Sequence, residues 1–212
     1  MTLLSELTDT VINGDDARAG ALTRQAIAQG LPPKTILDDG LIAGMTVVGD
    51  RFRDHEIFLP DVLLSARAMY AGMDLLKPLL IQEGIPSVGR VVIGSVHGDL
   101  HDIGKNLVGI MLKGAGFDVI DLGNDVPPDT MVATAVEQGA AVIGMSALLT
   151  TTMPVMSDVV GLLRERQPDG RIRTIVGGAP VTAAFAREIG ADAYGFDAAN
   201  AVDVVKDLVG RR

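Results

Sequence analysis

The chain has 212 residues, a mass of 22.2 kDa, 48% apolar residues, a formal net charge of −9, and neither cysteine nor tryptophan. That apolar content supplies a core, which excludes a disordered chain, and the absence of cysteine excludes disulfides, thiolate zinc sites, iron–sulfur clusters and cysteine nucleophiles. The acidic balance argues against nucleic-acid binding; no apolar run reaches the ~18 residues of a membrane span, and residues 1–9 lack the basic start of a signal peptide, so a cytoplasmic protein without a membrane partner is expected.

The first 81 residues read as helices. Leu3, Leu4, Leu7, Val11 and Ile12 recur at helical spacing, Asn13-Gly14 ends that segment, and Asp15 starts another that runs to Gly30. Pro32-Pro33 opens a third, whose stripe of Ile36, Leu37, Leu41, Met45 and Val48 is joined by Gly40 and Gly44, one turn apart, where another helix can approach. A fourth starts near Pro60 and carries Val62, Leu63, Ala66, Met69, Met73, Leu76 and Leu80. Short loops between them predict a four-helix bundle.

Gln82 to Gly89 is rich in turn formers and separates two periodicities, which places a domain boundary between residues 86 and 87 and a hinge in that link. Beyond it, apolar runs at Arg90–Val96, Asp118–Leu122, Ala140–Met145, Arg173–Val176 and Asp192–Tyr194 alternate with helix-length segments. Continuous β-branched runs are buried on both faces, so residues 87–212 are expected to form an α/β domain: a flavodoxin-like, doubly wound, five-stranded parallel sheet.

Ligands of such sheets bind beyond the carboxyl ends of the strands, and the loops there hold the unusual residues. After the first strand comes His97-Gly98-Asp99-Leu100-His101-Asp102-Ile103-Gly104-Lys105-Asn106; Gly123-Asn124-Asp125 follows the second, Ser146-Ala147-Leu148-Leu149-Thr150-Thr151-Thr152 the third, and Gly177-Gly178 the fourth. Asp99 stands two residues before His101, where a carboxylate accepts one imidazole N–H and leaves the other nitrogen for a metal. A solvated loop histidine is the commoner reading of that spacing alone. Four zinc ligands from His97, Asp99, His101 and Asp102 lie too close in one loop for tetrahedral geometry. Gly177-Gly178 also reads as a plain strand-to-helix turn, Ser146 and Thr150 to Thr152 as caps of a helix begun by Pro154, Phe52 and Leu59 as bundle interior, and His97, Lys105 and Asn106 as solvent-exposed.

The D-x-H-x-x-G run from Asp99 to Gly104, with Ser146-x-Leu148 and Gly177-Gly178 at later strand ends, resembles the cobalamin-binding module of cobalamin-dependent methionine synthase. Gly49-Asp50-Arg51-Phe52, Phe58-Leu59-Pro60 and Ser65-Ala66-Arg67 resemble the helical cap of that module, so the likeness spans nearly the whole chain. With only cap and cofactor domain, the chain is most similar to the free-standing corrinoid proteins of methyltransferase systems.

The resemblance implies a cobalamin cofactor (methylcobalamin or a related corrinoid), bound with its own base displaced and its cobalt ligated by His101. Asp99 would hydrogen-bond the far nitrogen of that imidazole, and Thr152 would stand where the relay of the pattern ends in serine. Ser146 and Thr150 would contact the displaced tail beside Leu148, Gly104, Gly177 and Gly178 would leave room for it, and Phe52 and Leu59 would cover the upper face. It implies a carrier that catalyses little alone, cycling between Co(I) and methyl-Co(III), served by a substrate-specific methyltransferase, a second methyltransferase and a reductive activator. Two other uses of the architecture are a cobalamin-dependent sensor, against which the lack of a basic DNA-binding extension counts, and a mutase small subunit, against which the cap counts.

Overall fold

A computed structural model describes residues 2–85, 87–167 and 169–210. It divides into two compact units, Met1–Ser87 with Gly114–Gly116, and Val88–Lys113 with Phe117–Arg212. The boundary predicted at 86/87 includes Pro86, which lies outside the described residues.

In the first unit, α1 (Leu3–Ile12) is capped by the Thr2 hydroxyl, which accepts the Ser5 N–H, and α2 (Asp16–Ala28) by the Asp15 carboxylate, which accepts that of Arg18. The predicted third helix is continuous but not uniform: α3 (Pro33–Ile36) widens into a π-helical turn, Leu37–Ile42, before α4 (Ala43–Arg53). Helix α5 (Leu59–Gln82) starts where the Asp61 carboxylate accepts the Phe58 N–H at 2.9 Å. Leu7, Val11, Ile36, Leu41, Val48, Val62, Met69 and Leu76 form the fully buried interior. A Cβ on Gly40 would lie 2.7 Å from Leu7 and one on Gly44 2.7 Å from Val11, so the two glycines admit α1 as their spacing predicts. The Thr8 hydroxyl of α1 stands 3.1 Å from the Asp39 and Gly40 carbonyls, within the widened turn whose regular bonding the π geometry disturbs.

The second unit is a five-stranded parallel sheet of β1 (Arg90–Ser95), β2 (Asp118–Asp121), β3 (Val142–Ser146), β4 (Arg173–Gly177) and β5 (Ala193–Gly195) in the order β2-β1-β3-β4-β5. The remaining helices are α6 (Ile103–Gly114), α7 (Pro128–Glu137), α8 (Pro154–Arg166), α9 (Ala183–Ile189) and α10 (Ala198–Gly210). One face of the sheet buries Val92, Ile143 and Val176 against Met131 of α7 and Met156 and Val159 of α8. On the other, Gly109 of α6 meets Ile93 and Ala201 of α10 meets Gly195. This is the flavodoxin-like topology, and its switch point lies between β1 and β3, where strand order reverses.

Register decides what stands at that point. Ser95 pairs with Ser146, Ser146 with Gly177, and Gly177 with Gly195, so four strands end at one level on small residues and their loops open side by side.

Candidate functional site

The loop after β1 is built around a buried carboxylate. Asp99 is fully buried, and its two oxygens divide their work: Oδ1 accepts the His101 backbone N–H at 3.1 Å and lies 2.8 Å from His101 Nδ1. Oδ2 accepts the N–H groups of Leu148 and Leu149 at 2.7 and 3.2 Å and the Thr152 hydroxyl at 2.8 Å. Burial pushes the Asp99 carboxyl up, but the Leu148 N–H, the Thr152 hydroxyl and His101 together outweigh it and hold the group well below the usual carboxylate range. An ionised carboxylate only accepts, so Nδ1 carries a ring proton, and in the neutral imidazole the lone pair is then on Nε2. The S-x-L segment of β3 and its loop thus contributes backbone donors, a role that its spacing did not announce. Thr152 also resolves its own departure from serine: its hydroxyl reaches Asp99, while its methyl lies beside Gly98.

The His101 side chain is 51% exposed, and no described residue bonds its Nε2. At the same edge, Leu100, Ile103, Leu148, Leu149 and Phe196 are exposed large apolar side chains. Among the described residues no cluster of three or more histidine, aspartate or glutamate side chains is arranged to hold a metal ion. What the loop offers is one oriented imidazole nitrogen within an apolar rim. That donor set fits a metal that brings its other ligands in a flat, apolar macrocycle, which is the chemistry of a corrinoid.

The other predicted residues fall into two groups. Ser146 is half-buried at the end of β3, and Leu148 and Thr150 are exposed in the loop beyond it. Gly104 is exposed in the first turn of α6 with nothing within 4 Å of a Cβ built there. Gly177 and Gly178 are required by the chain itself: a Cβ on Gly178, at φ +129°, would lie 1.9 Å from the Ala147 carbonyl oxygen, and one on Gly177 3.0 Å from that of Gly195. Phe52 and Leu59 are half-buried in the helical unit, at the end of α4 and the start of α5.

Three contributors escaped the sequence reading. Ser95, fully buried, donates its hydroxyl to the His101 carbonyl at 2.7 Å. Lys105 is buried rather than solvent-exposed; its ammonium bonds both oxygens of Asp121 at 2.6 and 2.5 Å and Asn106 Oδ1 at 2.6 Å. Asp125 accepts the Gly98 N–H at 2.7 Å and lies 2.7 Å from His97 Nδ1. The Gly98 bond, opposed by slight burial and aided by His97, holds the Asp125 carboxyl below its ordinary range. His97 is exposed, as its loop position suggests, yet paired.

Comparison with known proteins identifies the family of the chain. Residues 89–204 match the model of a B12 binding domain, and residues 3–77 match a second model also described as a B12 binding domain. A corrinoid protein of Desulfitobacterium hafniense is 40% identical over 214 residues, covering 100% of this chain and 99% of its own length. The chain belongs to the B12-binding corrinoid protein family. Trimethylamine corrinoid protein 1 of Methanosarcina mazei is 41% identical over 206 residues, covering 96% of this chain and 95% of that protein. Among solved structures, the methanol:cobalamin methyltransferase complex MtaBC from Methanosarcina barkeri contains a chain that superposes with a TM-score of 0.88 at 31% identity, covering 99% of this chain and 80% of that one. Among the described residues, no helix of this corrinoid protein is long and apolar enough to cross a membrane.

Proposed function

We propose that the chain is a methyl-carrying corrinoid protein that holds cobalamin with the cofactor's own base displaced and with His101 as lower ligand. The observation that carries this reading is the Asp99–His101 pair, because a fully buried, ionised carboxylate fixes the tautomer and ring orientation and leaves Nε2 as the single protein nitrogen on offer. Bound cobalamin supplies the carbon–cobalt chemistry; the protein supplies ligation, orientation and exclusion of water. Leu100, Ile103, Leu148 and Leu149 present apolar surface to the corrin edge, Ser146 and Thr150 offer hydroxyls to the displaced tail, and Gly104, Gly177 and Gly178 keep backbone free of side chains along its path.

A carrier of this kind meets a methyltransferase that loads it and a second that unloads it, with a reductive activator to restore the working state of the metal, in a cytoplasmic setting. Relatives named for trimethylamine and dimethylamine make a methylated amine the first donor to test. The decisive experiment loads the wild-type chain and His101→Ala with cob(II)alamin and records electron paramagnetic resonance. With the histidines 15N-labelled, the wild type should show the two-line splitting of one protein nitrogen, distinct from the three lines of the cofactor's own base, and the variant should not. The same splitting in both would remove His101 from the ligand position.

A further inference from the structure

The His101 loop is held by a second element that the D-x-H pattern does not contain. Beyond the end of β2 the chain continues alongside β1: Leu122 donates to the Ile93 carbonyl, Ser95 donates to that of Gly123, Val126 donates to that of Ser95, and Val96 and Val126 form a parallel bridge. This path carries Asp125 to the turn that precedes Asp99. There the Asp125 carboxylate takes the Gly98 N–H and pairs with His97, while its backbone N–H bonds the Asp99 carbonyl at 3.0 Å. One residue therefore fixes the chain immediately before Asp99 and Asp99 itself.

The backbone of Asp125 lies in the left-handed region, at φ +54°. Only two non-glycine residues of the described chain do so, the other being His55 in the helical unit. A side chain there is disfavoured, and a glycine would make the turn without that cost, so the aspartate is accounted for by its carboxylate. Gly98 is itself left-handed, at φ +82°, in a turn closed by the Asp99 N–H to the Val96 carbonyl at 3.0 Å, and the Gly98 N–H is the turn's bond to the Asp125 side chain.

We propose that Asp125 is a positioning residue for the His101 loop, and that ligation of the corrinoid metal through His101 depends on its carboxylate. This rests on His101 being the lower ligand. Without the carboxylate, the Gly98 backbone gains freedom; the residue 125 N–H still holds the Asp99 carbonyl and the Asp99 carboxylate still meets Leu148, Leu149 and Thr152, but with the preceding residue loosened the direction in which Asp99 holds the imidazole broadens. The loss falls on ring orientation rather than on the fold, since β1, β2 and their register are independent of this side chain.

The test uses the full chain and three variants. Asp125→Gly removes the carboxylate and suits the left-handed backbone; Asp125→Asn keeps an acceptor for Gly98 and tolerates that conformation; Asp125→Ser, with a shorter side chain, replaces the glycine variant if that one does not fold. In the protein without cofactor, amide exchange at Gly98 should accelerate about tenfold in Asp125→Gly, the effect of losing one charge-assisted hydrogen bond, and stay near wild type in Asp125→Asn. After loading of protein 15N-labelled at histidine with cob(II)alamin, the fraction of the paramagnetic resonance signal split into two lines by the protein nitrogen should fall in Asp125→Gly and recover in Asp125→Asn. Wild-type exchange together with a full two-line signal in Asp125→Gly overturns the proposal while leaving His101 as ligand. A wild-type signal without the two-line splitting overturns the ligand assignment and this proposal with it.

Discussion

Thr152 offers the cleanest separation of polar from apolar contributions at the site, because its two branches do different things. The hydroxyl is one of three donors to Asp99 Oδ2, at 2.8 Å, beside the Leu148 and Leu149 N–H groups at 2.7 and 3.2 Å. Thr152→Val keeps the methyl and removes this donor from a fully buried carboxylate. A hydrogen bond to a charged group contributes ~1.5–3 kcal/mol, and with two donors remaining the cost should lie near ~2 kcal/mol. For a chain of this size that is a fall of roughly 4–8 °C in melting temperature, at ~2–4 °C per kcal/mol. Thr152→Ser keeps the donor and removes the methyl beside Gly98, costing ~0.8 kcal/mol, or roughly 2–3 °C. Thermal unfolding of the cofactor-free protein, followed by circular dichroism, measures both. If the serine variant melts below the valine variant, or if valine leaves the melt unchanged, then the Thr152–Asp99 bond does not stabilise the loop as described.

The two kinds of site glycine should respond in opposite ways. Gly178→Ala drives a Cβ into the Ala147 carbonyl and should lose at least ~2–3 kcal/mol in urea unfolding, whereas Gly104→Ala, with open space around it, should change stability by less than ~1 kcal/mol yet weaken cobalamin binding measured by calorimetry. Lys105→Met keeps the aliphatic bulk and strands Asp121, whose side chain is one-third exposed; ~1–3 kcal/mol should be lost, below the ~3–5 kcal/mol of a fully buried pair, seen as a lower urea midpoint at unchanged slope. Burial raises the Tyr70 phenol above its ordinary value of ~10, so the folded chain keeps that proton after the unfolded chain has released it, and stability should fall as pH rises past ~10. Phenolate absorbance in a Tyr194→Phe background, where Tyr70 alone reports, checks the shift.

Periodicity and punctuation determined the elements of this protein from sequence alone. Apolar spacing of 3.6 placed the four helical segments, and apolar runs placed five strands whose alternation with helices required parallel pairing with ligand loops at the carboxyl edge, but only the inner strands are buried as expected: the edge strands β2 and β5 are partly exposed because each has a neighbour on one side alone. The Asp99-x-His101 pair was legible because its geometry is local: two residues in one loop meet whatever the rest of the chain does. Strand ends were less legible; the third run read as Ala140–Met145 is the strand Val142–Ser146, since pairing with β1 and β4 rather than hydrophobicity sets its limits. Tertiary structure alone decided the partners of that loop. Lys105 with Asp121, Asp125 with Gly98 and Asp99 with Leu148 are pairings set by the order β2-β1-β3 and its register. The same holds for Gly178, whose missing side chain answers to a carbonyl on the neighbouring strand's loop. Local pattern follows from the chemistry of adjacent residues, whereas these contacts join residues that only the assembled sheet brings within bonding distance.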